Sequence, residues 1–282
     1  MKTIVITGAT AGIGFHSAEQ LGARGHHLVL IGRSQDKLAA AATRIRAAGA
    51  ARVDTHLCDL ASLAEVERVA AVLIDAYDRL DVLINNAGGL FPRRTTTKDG
   101  YEATFAVNYL AGYLLTERLK PLMITGAPAR IVITSSAGHY RGSMDFDDLQ
   151  FERNYDGMKA YYRSKLANVL YTRALASELQ GAGVTVNALH PGVVATDIWD
   201  STTGLMRPLV AAVKHVVMLS PAKGGARVTH LAIDPGVSDI TGAYFDRNRV
   251  KEPSKLAGDA ALARRLREAS DQLTGIDRKN TI

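Results

Sequence analysis

The stretch "TIVITGATAGIG", residues 3–14, joins a run of β-branched apolar residues to a glycine-rich turn, and this junction decides the fold. Gly8, Gly12 and Gly14 stand at the spacing Gly-x3-Gly-x-Gly. Glycines there let the backbone approach a pyrophosphate and let a helix begin against the strand, so that its N-terminal amides face the anion. The spacing alone also fits a tight turn that binds nothing, but its place after the first predicted strand favours a dinucleotide site.

Short apolar runs of this kind alternate with longer Ala-rich and Leu-rich stretches of helical period along the whole chain. Seven runs occur, beginning at Thr3, His27, Arg52, Asp81, Arg130, Val184 and, with the weakest pattern, Gly242. They are continuously apolar rather than alternating, which is typical of strands buried on both faces. We therefore predict an α/β fold with a doubly wound, parallel, seven-stranded sheet and helices on both faces. Glycine and proline cluster only at element ends, so we expect a single Rossmann-type domain over residues 1–282.

Length and composition exclude several classes of protein. The 282 residues, 47% of them hydrophobic, are enough for one large domain with its own core. No stretch of about 18 apolar residues occurs and the chain enters a strand at once, so we expect a soluble, cytoplasmic protein. Cys58 is the only cysteine, which precludes an intramolecular disulfide and agrees with a reducing compartment. The histidines show no paired metal-ligand spacing, so no metal is expected.

The net charge of +6 raises the question of a nucleic-acid partner. The basic residues form only short runs, at 93–94, at 264–265 and in "DRNRVK", residues 246–251. These runs lie among acids and lack the interleaved aromatic residues of a base-stacking surface. We therefore expect a solvated surface, no nucleic-acid partner, and an anionic small molecule as the simpler ligand.

The end of the second predicted strand indicates which dinucleotide is bound. A residue that contacts the adenosine ribose is expected about 20 residues after the glycine-rich turn, an acid for NAD and a base for NADP. The strand ends in "LIGRS", which places Arg33 and Ser34 there, whereas Asp36 falls at the start of the next helix. A guanidinium matches a phosphate and can stack on adenine. We therefore expect NADP(H) rather than NAD(H), the alternative being that Arg33 is a solvated surface charge.

Four further motifs follow the glycine-rich turn, and together the five resemble the short-chain dehydrogenase/reductase family over about residues 3–245. They are Asn85-Asn86-Ala87-Gly88, Ser135-Ser136, Tyr161 with Lys165, and Pro191-Gly192 running on to Thr196. Within that family, "DVLINNAG" (81–88) and "SKLANVLYTRALASEL" (164–179) are most similar to the branch that contains retinol dehydrogenases and light-dependent protochlorophyllide reductases. The resemblance implies hydride transfer between a nicotinamide and a carbonyl or alcohol carbon.

The resemblance implies four catalytic residues: Asn108, Ser136, Tyr161 and Lys165. Tyr161 and Tyr162 are adjacent in "AYYRSK", and both lie close enough along a helix to approach Lys165. The family pattern selects Tyr161 as the proton donor in reduction and acceptor in oxidation. A phenol with a reference pKa of ~10 carries protons poorly near neutrality. An adjacent lysine ammonium would help because it stabilises the phenolate.

The other two residues have roles that the resemblance supplies. Ser136, rather than Ser135, would hydrogen-bond the substrate oxygen. Asn108, in "FAVNYL", would bend its helix and hold a water that connects Lys165 to solvent. A mid-helix asparagine is otherwise unfavourable, because its side chain competes for backbone hydrogen bonds.

The cofactor-binding residues implied by the resemblance span all five motifs. They are Gly8, Thr10, Gly12, Ile13, Gly14, Arg33, Ser34, Asp59, Leu60, Asn86, Ala87, Gly88, Tyr161, Lys165, Pro191, Gly192, Val194 and Thr196. Asp59 would contact the adenine amino group, although a helix N-cap is an equally good interpretation of this residue.

The substrate is the least determined feature. A lid is predicted over about residues 193–220, and an inserted stretch, residues 142–157, resembles an insertion of the retinol dehydrogenase branch and would form a lobe beside the pocket. His139 is interpreted as structural rather than catalytic. Residues 246–282 would form a short C-terminal extension. Apolar and aromatic residues near the predicted pocket favour a substrate with an apolar or aromatic carbonyl group. These residues are Leu90, Phe91, His139, Tyr140, Trp199, Leu205 and Met206.

Two other functions remain open at this point. A cofactor-binding regulator without chemistry would usually lose the tyrosine or the lysine. A sugar-nucleotide epimerase or dehydratase normally has a larger C-terminal domain than the 37 residues after Phe245. A homodimer or homotetramer through the helices around Asn108 and after Tyr161 is favoured, although the branch includes monomers.

Overall fold

One mixed sheet runs through the protein in this computed structural model, which describes residues 1–192 and 219–278. Its strands are β1 (Thr3–Thr7), β2 (His27–Gly32), β3 (Arg52–Leu57), β4 (Val82–Asn85), β5 (Ala129–Thr134), β6 (Val184–His190), β7 (Tyr244–Asp246) and β8 (Arg249–Lys251). Their order in the sheet is β3-β2-β1-β4-β5-β6-β7-β8. Strands β1 to β7 are parallel, which confirms the doubly wound Rossmann-like fold. The order reverses between β1 and β4, the point at which such sheets bind ligands.

The predicted number of seven strands, all parallel, is wrong by one edge strand, since β8 pairs antiparallel with β7. Arg247 and Asn248 connect the two strands, and both have positive φ values, of 52° and 62°. Such a two-residue connection is a hairpin turn, for which Asn-Gly is the strong sequence signal. "DRNRVK" lacks that signal, and its charges led to its interpretation as a solvated surface run.

Helices cover both faces of the sheet. They are α1 (Gly12–Gly22), α2 (Gln35–Ala47), α3 (Leu63–Ala76), α4 (Ala103–Phe105), a π-helical segment (Ala106–Leu110), α5 (Ala111–Thr125), α6 (Gly157–Glu178), α7 (Pro221–Ile233) and α8 (Ala260–Thr274). One core lies between the sheet and α1, α2 and α7, and the other between the sheet and α3, α5, α6 and α8. Adjacent residues of one strand serve opposite cores, as Ile4 and Val5 do, which explains the continuous apolar runs.

Helix α8 packs against α5 and α6, the helices that the sequence suggested for contact with a second copy. Leu266 of α8 is fully buried in the core that these helices share. The Tyr109 hydroxyl lies 2.8 Å from Ser270 Oγ, and Arg267 pairs with Glu178 at the end of α6. The C-terminal extension is therefore an integral layer of the fold. In the described parts of the chain, no helix has the length and apolar character needed to span a bilayer.

Candidate active site

The glycine-rich turn forms one wall of the candidate site, where β1 passes into α1. Gly8 and Gly12 have φ values of +68° and +54°, which favour glycine. A Cβ on Gly14 would lie 2.4 Å from the Gly8 carbonyl oxygen and 2.4 Å from Asn86 Nδ2, so that glycine is required there. The N-cap of α1 is Ala11, whose side chain does not bond the first amides of the helix. The turn therefore fits the pyrophosphate of a dinucleotide.

The Asn-Asn-Ala-Gly motif at the end of β4 is held against the end of β1 by Thr7. Thr7 Oγ1 accepts hydrogen bonds from the backbone amides of Asn86 (3.0 Å) and Ala87 (3.1 Å). Asn86 Nδ2 donates to the Thr7 carbonyl at 3.2 Å. Sequence reasoning did not single out Thr7, and its only signal was its place immediately before Gly8. These bonds join two of the five motifs into one rigid edge.

Arg33 is exposed directly after the end of β2, where the adenosine ribose is expected. Within the described residues, its guanidinium makes no hydrogen bond or ion pair. Ser34 is the N-cap of α2, and its hydroxyl accepts a hydrogen bond from the Lys37 amide at 3.4 Å. Asp36 lies in the first turn of α2, as expected. Arg33 is therefore the group at this edge that is available to a phosphate.

Asp59 and Leu60 follow β3, and the structure removes one interpretation of Asp59. The residue is not a helix N-cap, because α3 begins at Leu63 with Ser62 as its N-cap. Asp59 Oδ1 instead accepts a hydrogen bond of 3.0 Å from the Ala61 amide in a local turn. Leu60 borders a small cavity that Thr7 also lines, so it lies next to the glycine-rich edge.

The two adjacent serines after β5 have different surroundings. Ser135 is buried, and its hydroxyl donates to the Lys165 carbonyl at 2.8 Å. Ser136 is half-buried, accepts a hydrogen bond of 3.1 Å from the Gly138 amide, and lies within hydrogen-bond reach of the Tyr161 phenol. Ser136 is therefore the serine that a substrate oxygen could reach beside the tyrosine.

Helix α6 places Tyr161 beside Ser136 and Tyr162 against the neighbouring Gly138. Asp156 caps the helix, because its side chain accepts hydrogen bonds from the backbone amides of Met158 and Lys159. Helix α6 therefore begins at Gly157, four residues before Tyr161. A Cβ on Gly138 would lie 2.7 Å from the ring of Tyr162 and 3.4 Å from the ring of Tyr161, so both rings lie next to the turn after Ser136, the Tyr162 ring closer to Gly138. Burial raises the pKa of Tyr161, while the Ser136 hydrogen bond opposes the shift. Tyr161 is thus placed as a neutral phenol, the form that donates a proton.

Lys165 lies on the same helix, one turn after Tyr161. Its side chain is 4% exposed, and its Nζ donates a 3.0 Å hydrogen bond to the Thr134 carbonyl. The Nζ atom is 5.6 Å from the centroid of the Tyr161 ring. Burial lowers the pKa of Lys165 to about 8, because the ammonium has lost most of its hydration.

Asn108 lies in the π-helical segment and connects three parts of the site. Its Oδ1 accepts from the Gly89 amide at 2.7 Å, and its Nδ2 donates to the Gly89 carbonyl at 2.9 Å and to Ser164 Oγ at 3.0 Å. Its backbone carbonyl accepts from Asn168 Nδ2 at 3.2 Å. A π-helical turn is often associated with function. Sequence reasoning missed Asn168, whose only signal was its place one turn after Lys165.

The inserted stretch is attached to α6 by Arg163, a residue that sequence reasoning also missed. Arg163 is 5% exposed and donates to the backbone carbonyls of Ser143 (3.2 Å), Leu149 (3.2 Å) and Asp148. Its guanidinium lies 3.6 Å from the centroid of the Phe151 ring. Because Arg163 is two residues after Tyr161, the inserted stretch is held by the same helix that carries Tyr161.

The residues proposed for the substrate side divide into several groups. Leu90 and Phe91 are half-buried and Tyr140 is exposed, whereas His139 is fully buried and so is not an open wall of a pocket. The Pro191 carbonyl accepts from Arg227 at 3.0 Å, and Gly192 has a φ of +96°. Outside the described residues lie Val194, Thr196, Trp199, Leu205, Met206 and nearly all of the predicted lid.

Comparison with known proteins found a matching family model, a relative and two solved structures that this chain resembles. A family model described as short chain dehydrogenase matches residues 2–204, which include all five motifs. Retinol dehydrogenase 13 of Homo sapiens is 40% identical over 282 residues, covering 98% of this chain and 85% of that protein. An uncharacterised Mycobacterium paratuberculosis protein of known structure has a TM-score of 0.76 and 31% identity, covering 98% of this chain and 94% of its own. A proposed NAD(P)-dependent gluconate 5-dehydrogenase of Beutenbergia cavernae, which holds NADP, has a TM-score of 0.71 and 29% identity, covering 88% and 95%.

Proposed function

The chain belongs to the short-chain dehydrogenase/reductase family, and from that premise we propose an NADP(H)-dependent enzyme. Its reaction would interconvert a carbonyl and an alcohol on an apolar or aromatic small molecule. The proposal depends mainly on one observation: Ser136, Tyr161 and Lys165 lie close together beside the point where the strand order of the sheet reverses. All three belong to motifs that the family model covers.

The chemistry of the site follows from the protonation states that burial favours. NADPH, when bound, supplies the hydride. Tyr161 would donate its phenolic proton to the substrate oxygen in reduction and accept a proton in oxidation. Ser136 would donate a hydrogen bond to the same oxygen as negative charge develops there. Lys165, held by the Thr134 carbonyl, would place a positive charge near the phenolate that reduction leaves behind.

The preference for NADP(H) rests on Arg33. An exposed guanidinium at the end of β2, with no partner among the described residues, suits a 2′-phosphate, and a carboxylate would be expected for NAD. The similarity to a solved structure that holds NADP supports the proposal. A cytoplasmic enzyme that uses NADPH would run towards the alcohol.

The substrate class rests on the apolar residues after β4 and on similarity to a retinol dehydrogenase. Leu90 and Phe91 leave the sheet beside Gly89, which Asn108 holds in place. Apolar walls with few polar groups are typical of sites for apolar ligands. An apolar or aromatic aldehyde or ketone is therefore the proposed substrate.

The proposal is tested by turnover with a panel of carbonyl compounds. We expect NADPH oxidation with retinaldehyde or with 4-nitrobenzaldehyde, and weaker turnover with a sugar such as L-sorbose. Cofactor binding without turnover of any carbonyl would favour the regulator, and turnover of a nucleotide sugar would favour the epimerase or dehydratase. Either result would contradict the proposed reaction.

The location and the assembly state are also proposals. A cytoplasmic location remains the expectation, which cell fractionation would test. Helix α8 covers part of the α5 and α6 faces. A homodimer or homotetramer would therefore form either through the part of these faces that α8 leaves uncovered or through another surface of the protein. Light scattering would distinguish these assemblies from a 30.2 kDa monomer.

A further inference from the structure

His139 connects the catalytic serine with a segment more than one hundred residues away in the chain. The residue lies in the 3-10 turn Ala137–Arg141 and is 0% exposed. Its Nδ1 lies 2.8 Å from the Ser136 carbonyl oxygen, and its Nε2 lies 3.2 Å from the backbone nitrogen of Ser254. Both ring nitrogens therefore have a partner inside the protein.

The two partners determine the protonation of the ring. The Ser254 amide can only donate a hydrogen bond, so Nε2 must be the acceptor and carries no proton. The Ser136 carbonyl can only accept, so Nδ1 must carry the proton. Only the neutral Nδ1–H tautomer satisfies both contacts, because an imidazolium would direct an N–H group at the Ser254 N–H group.

The surroundings of the ring favour this neutral form. Burial lowers the pKa of His139 and outweighs the hydrogen bond to the Ser136 carbonyl, which raises it, while the charge of Lys251 acts in the same direction as burial. The rings of Tyr140 and Tyr244 lie 4.0 Å and 4.4 Å from it, centroid to centroid, and His190 is the nearby titratable group on β6. With both nitrogens engaged and no exposure, His139 has no free atom with which to contact a substrate.

A second bond attaches the same distant segment to the same loop. The Tyr140 hydroxyl donates to the Glu252 carbonyl at 2.5 Å, two residues before Ser254. Ser254 in turn is the N-cap of the 3-10 turn Lys255–Gly258, which leads into α8. The loop that carries Ser136 is therefore held in place by the segment that contains Glu252 and Ser254.

We propose that His139 is a positioning residue that transmits the placement of the segment around Ser254 to Ser136. The segment after β8 then belongs to the scaffold of the active site, although it lies beyond the range of the family model. The kinetic consequences rest on the proposed function, whereas the hydrogen bonds can be tested without any substrate.

A matched pair of variants at residue 254 perturbs the contact with His139. Ser254→Pro removes the backbone N–H, and the φ of −60° at this residue is one that proline adopts. Ser254→Ala keeps the N–H and, like the proline variant, lacks the hydroxyl that caps Ala257. Because the proline Cδ stands where the N–H pointed, against Nε2, the difference between the two variants reports loss of this bond together with displacement of the His139 ring.

The first measurement is nitrogen-15 NMR at neutral pH without substrate. We expect His139 to carry its proton on Nδ1. The Gly138 amide, which donates to Ser136 Oγ, should shift in Ser254→Pro but not in Ser254→Ala. A charged ring, an Nε2–H tautomer or equal Gly138 shifts in both variants would overturn the proposal, whatever the enzyme turns over.

The second measurement uses NADPH and 4-nitrobenzaldehyde. Relative to Ser254→Ala, Ser254→Pro should lower kcat about tenfold with little change in the Kd of NADPH, because the displaced group is Ser136. Combined with Ser136→Ala, the same change should lower kcat less than about twofold. An equal loss in both backgrounds would mean a general structural role, and would overturn the proposal even if the reaction is assigned correctly.

Discussion

The Lys165 ammonium donates a buried hydrogen bond of 3.0 Å to the Thr134 carbonyl at the end of β5. The residue thus has a fixed acceptor that belongs to the sheet, and its Nζ lies 5.6 Å from the Tyr161 ring centroid. Burial makes the charged form of the lysine costly and lowers its pKa to about 8, and burial also raises the pKa of Tyr161. The pair in this state is best suited to give a proton to a carbonyl oxygen.

The rate of reduction should therefore decline on the alkaline side. Burial disfavours the protonated lysine, so the ammonium is present below about pH 8 and is lost above it. The value of kcat/KM for NADPH reports the free enzyme. We expect it to be constant up to about one pH unit below the pKa of Lys165 and to fall above that pKa. A profile that stays level to well above the pKa of a normal lysine, or that rises with pH, would contradict this assignment.

Arg33 should determine the preference between the two nicotinamide cofactors. Arg33→Asp places a carboxylate at the end of β2, where it would repel a 2′-phosphate and accept a hydrogen bond from a 2′-hydroxyl. We expect the Kd of NADPH to rise by at least ~10-fold and that of NADH to change little or to fall. Titration of both cofactors by fluorescence measures the effect.

The control for this prediction is Arg24→Asp, the same change of charge on an exposed residue after α1. It should leave the ratio of the two dissociation constants unchanged. A wild-type protein that binds NADH as tightly as NADPH would remove the basis of the NADP assignment.

Glu117 should contribute strongly to stability, because it is buried among charges. Burial alone would raise its pKa, but the Lys120 hydrogen bond (2.8 Å) and the charges of Lys120, Arg267 and Arg278 hold the pKa below its usual range. Glu117→Gln should lower the free energy of unfolding by about 3 kcal/mol at neutral pH. Glu67→Gln, which breaks a half-exposed pair with Arg118, should cost less than about 1 kcal/mol.

The pH dependence of this effect has a definite sign. A carboxyl whose folded-state pKa is depressed stabilises the protein above the unfolded-state pKa, and the stabilisation is lost as pH falls through the folded-state pKa. The difference between wild type and Glu117→Gln in urea unfolding should therefore shrink in acid. A difference that is constant with pH would show that the charge of Glu117 is not the cause.

The parallel sheet and the five motifs could be predicted because each depends on local sequence. A continuous apolar run such as the one from His27 has few alternatives to a buried strand, and the φ values of Gly8 and Gly12 require residues without a side chain. The hairpin between β7 and β8 could not be predicted. Its turn residues, Arg247 and Asn248, adopt positive φ without the Asn-Gly pattern that would have marked it.

The residues that hold the site in place were missed for a different reason. Thr7, Arg163 and Asn168 bond to backbone carbonyls or amides of other segments of the chain, and a backbone partner leaves no pattern in the sequence. His139 was correctly interpreted as structural, but its link to Ser254 depends on the fold of the C-terminal segment. Apart from their places next to motif residues, Thr7, Arg163 and Asn168 carry no sequence signal.

The comparison of Tyr161→Phe with Tyr162→Phe tests the central claim most directly. Each variant removes one hydroxyl and keeps the ring, and the two residues are neighbours on α6. Measured with NADPH and a carbonyl substrate that the wild type reduces, Tyr161→Phe should lose at least ~100-fold in kcat with an unchanged Kd for NADPH. Tyr162→Phe, whose ring packs on Gly138, should stay close to wild type. A Tyr161→Phe enzyme with normal kcat across a pH series, or an inactive Tyr162→Phe enzyme, would contradict the account.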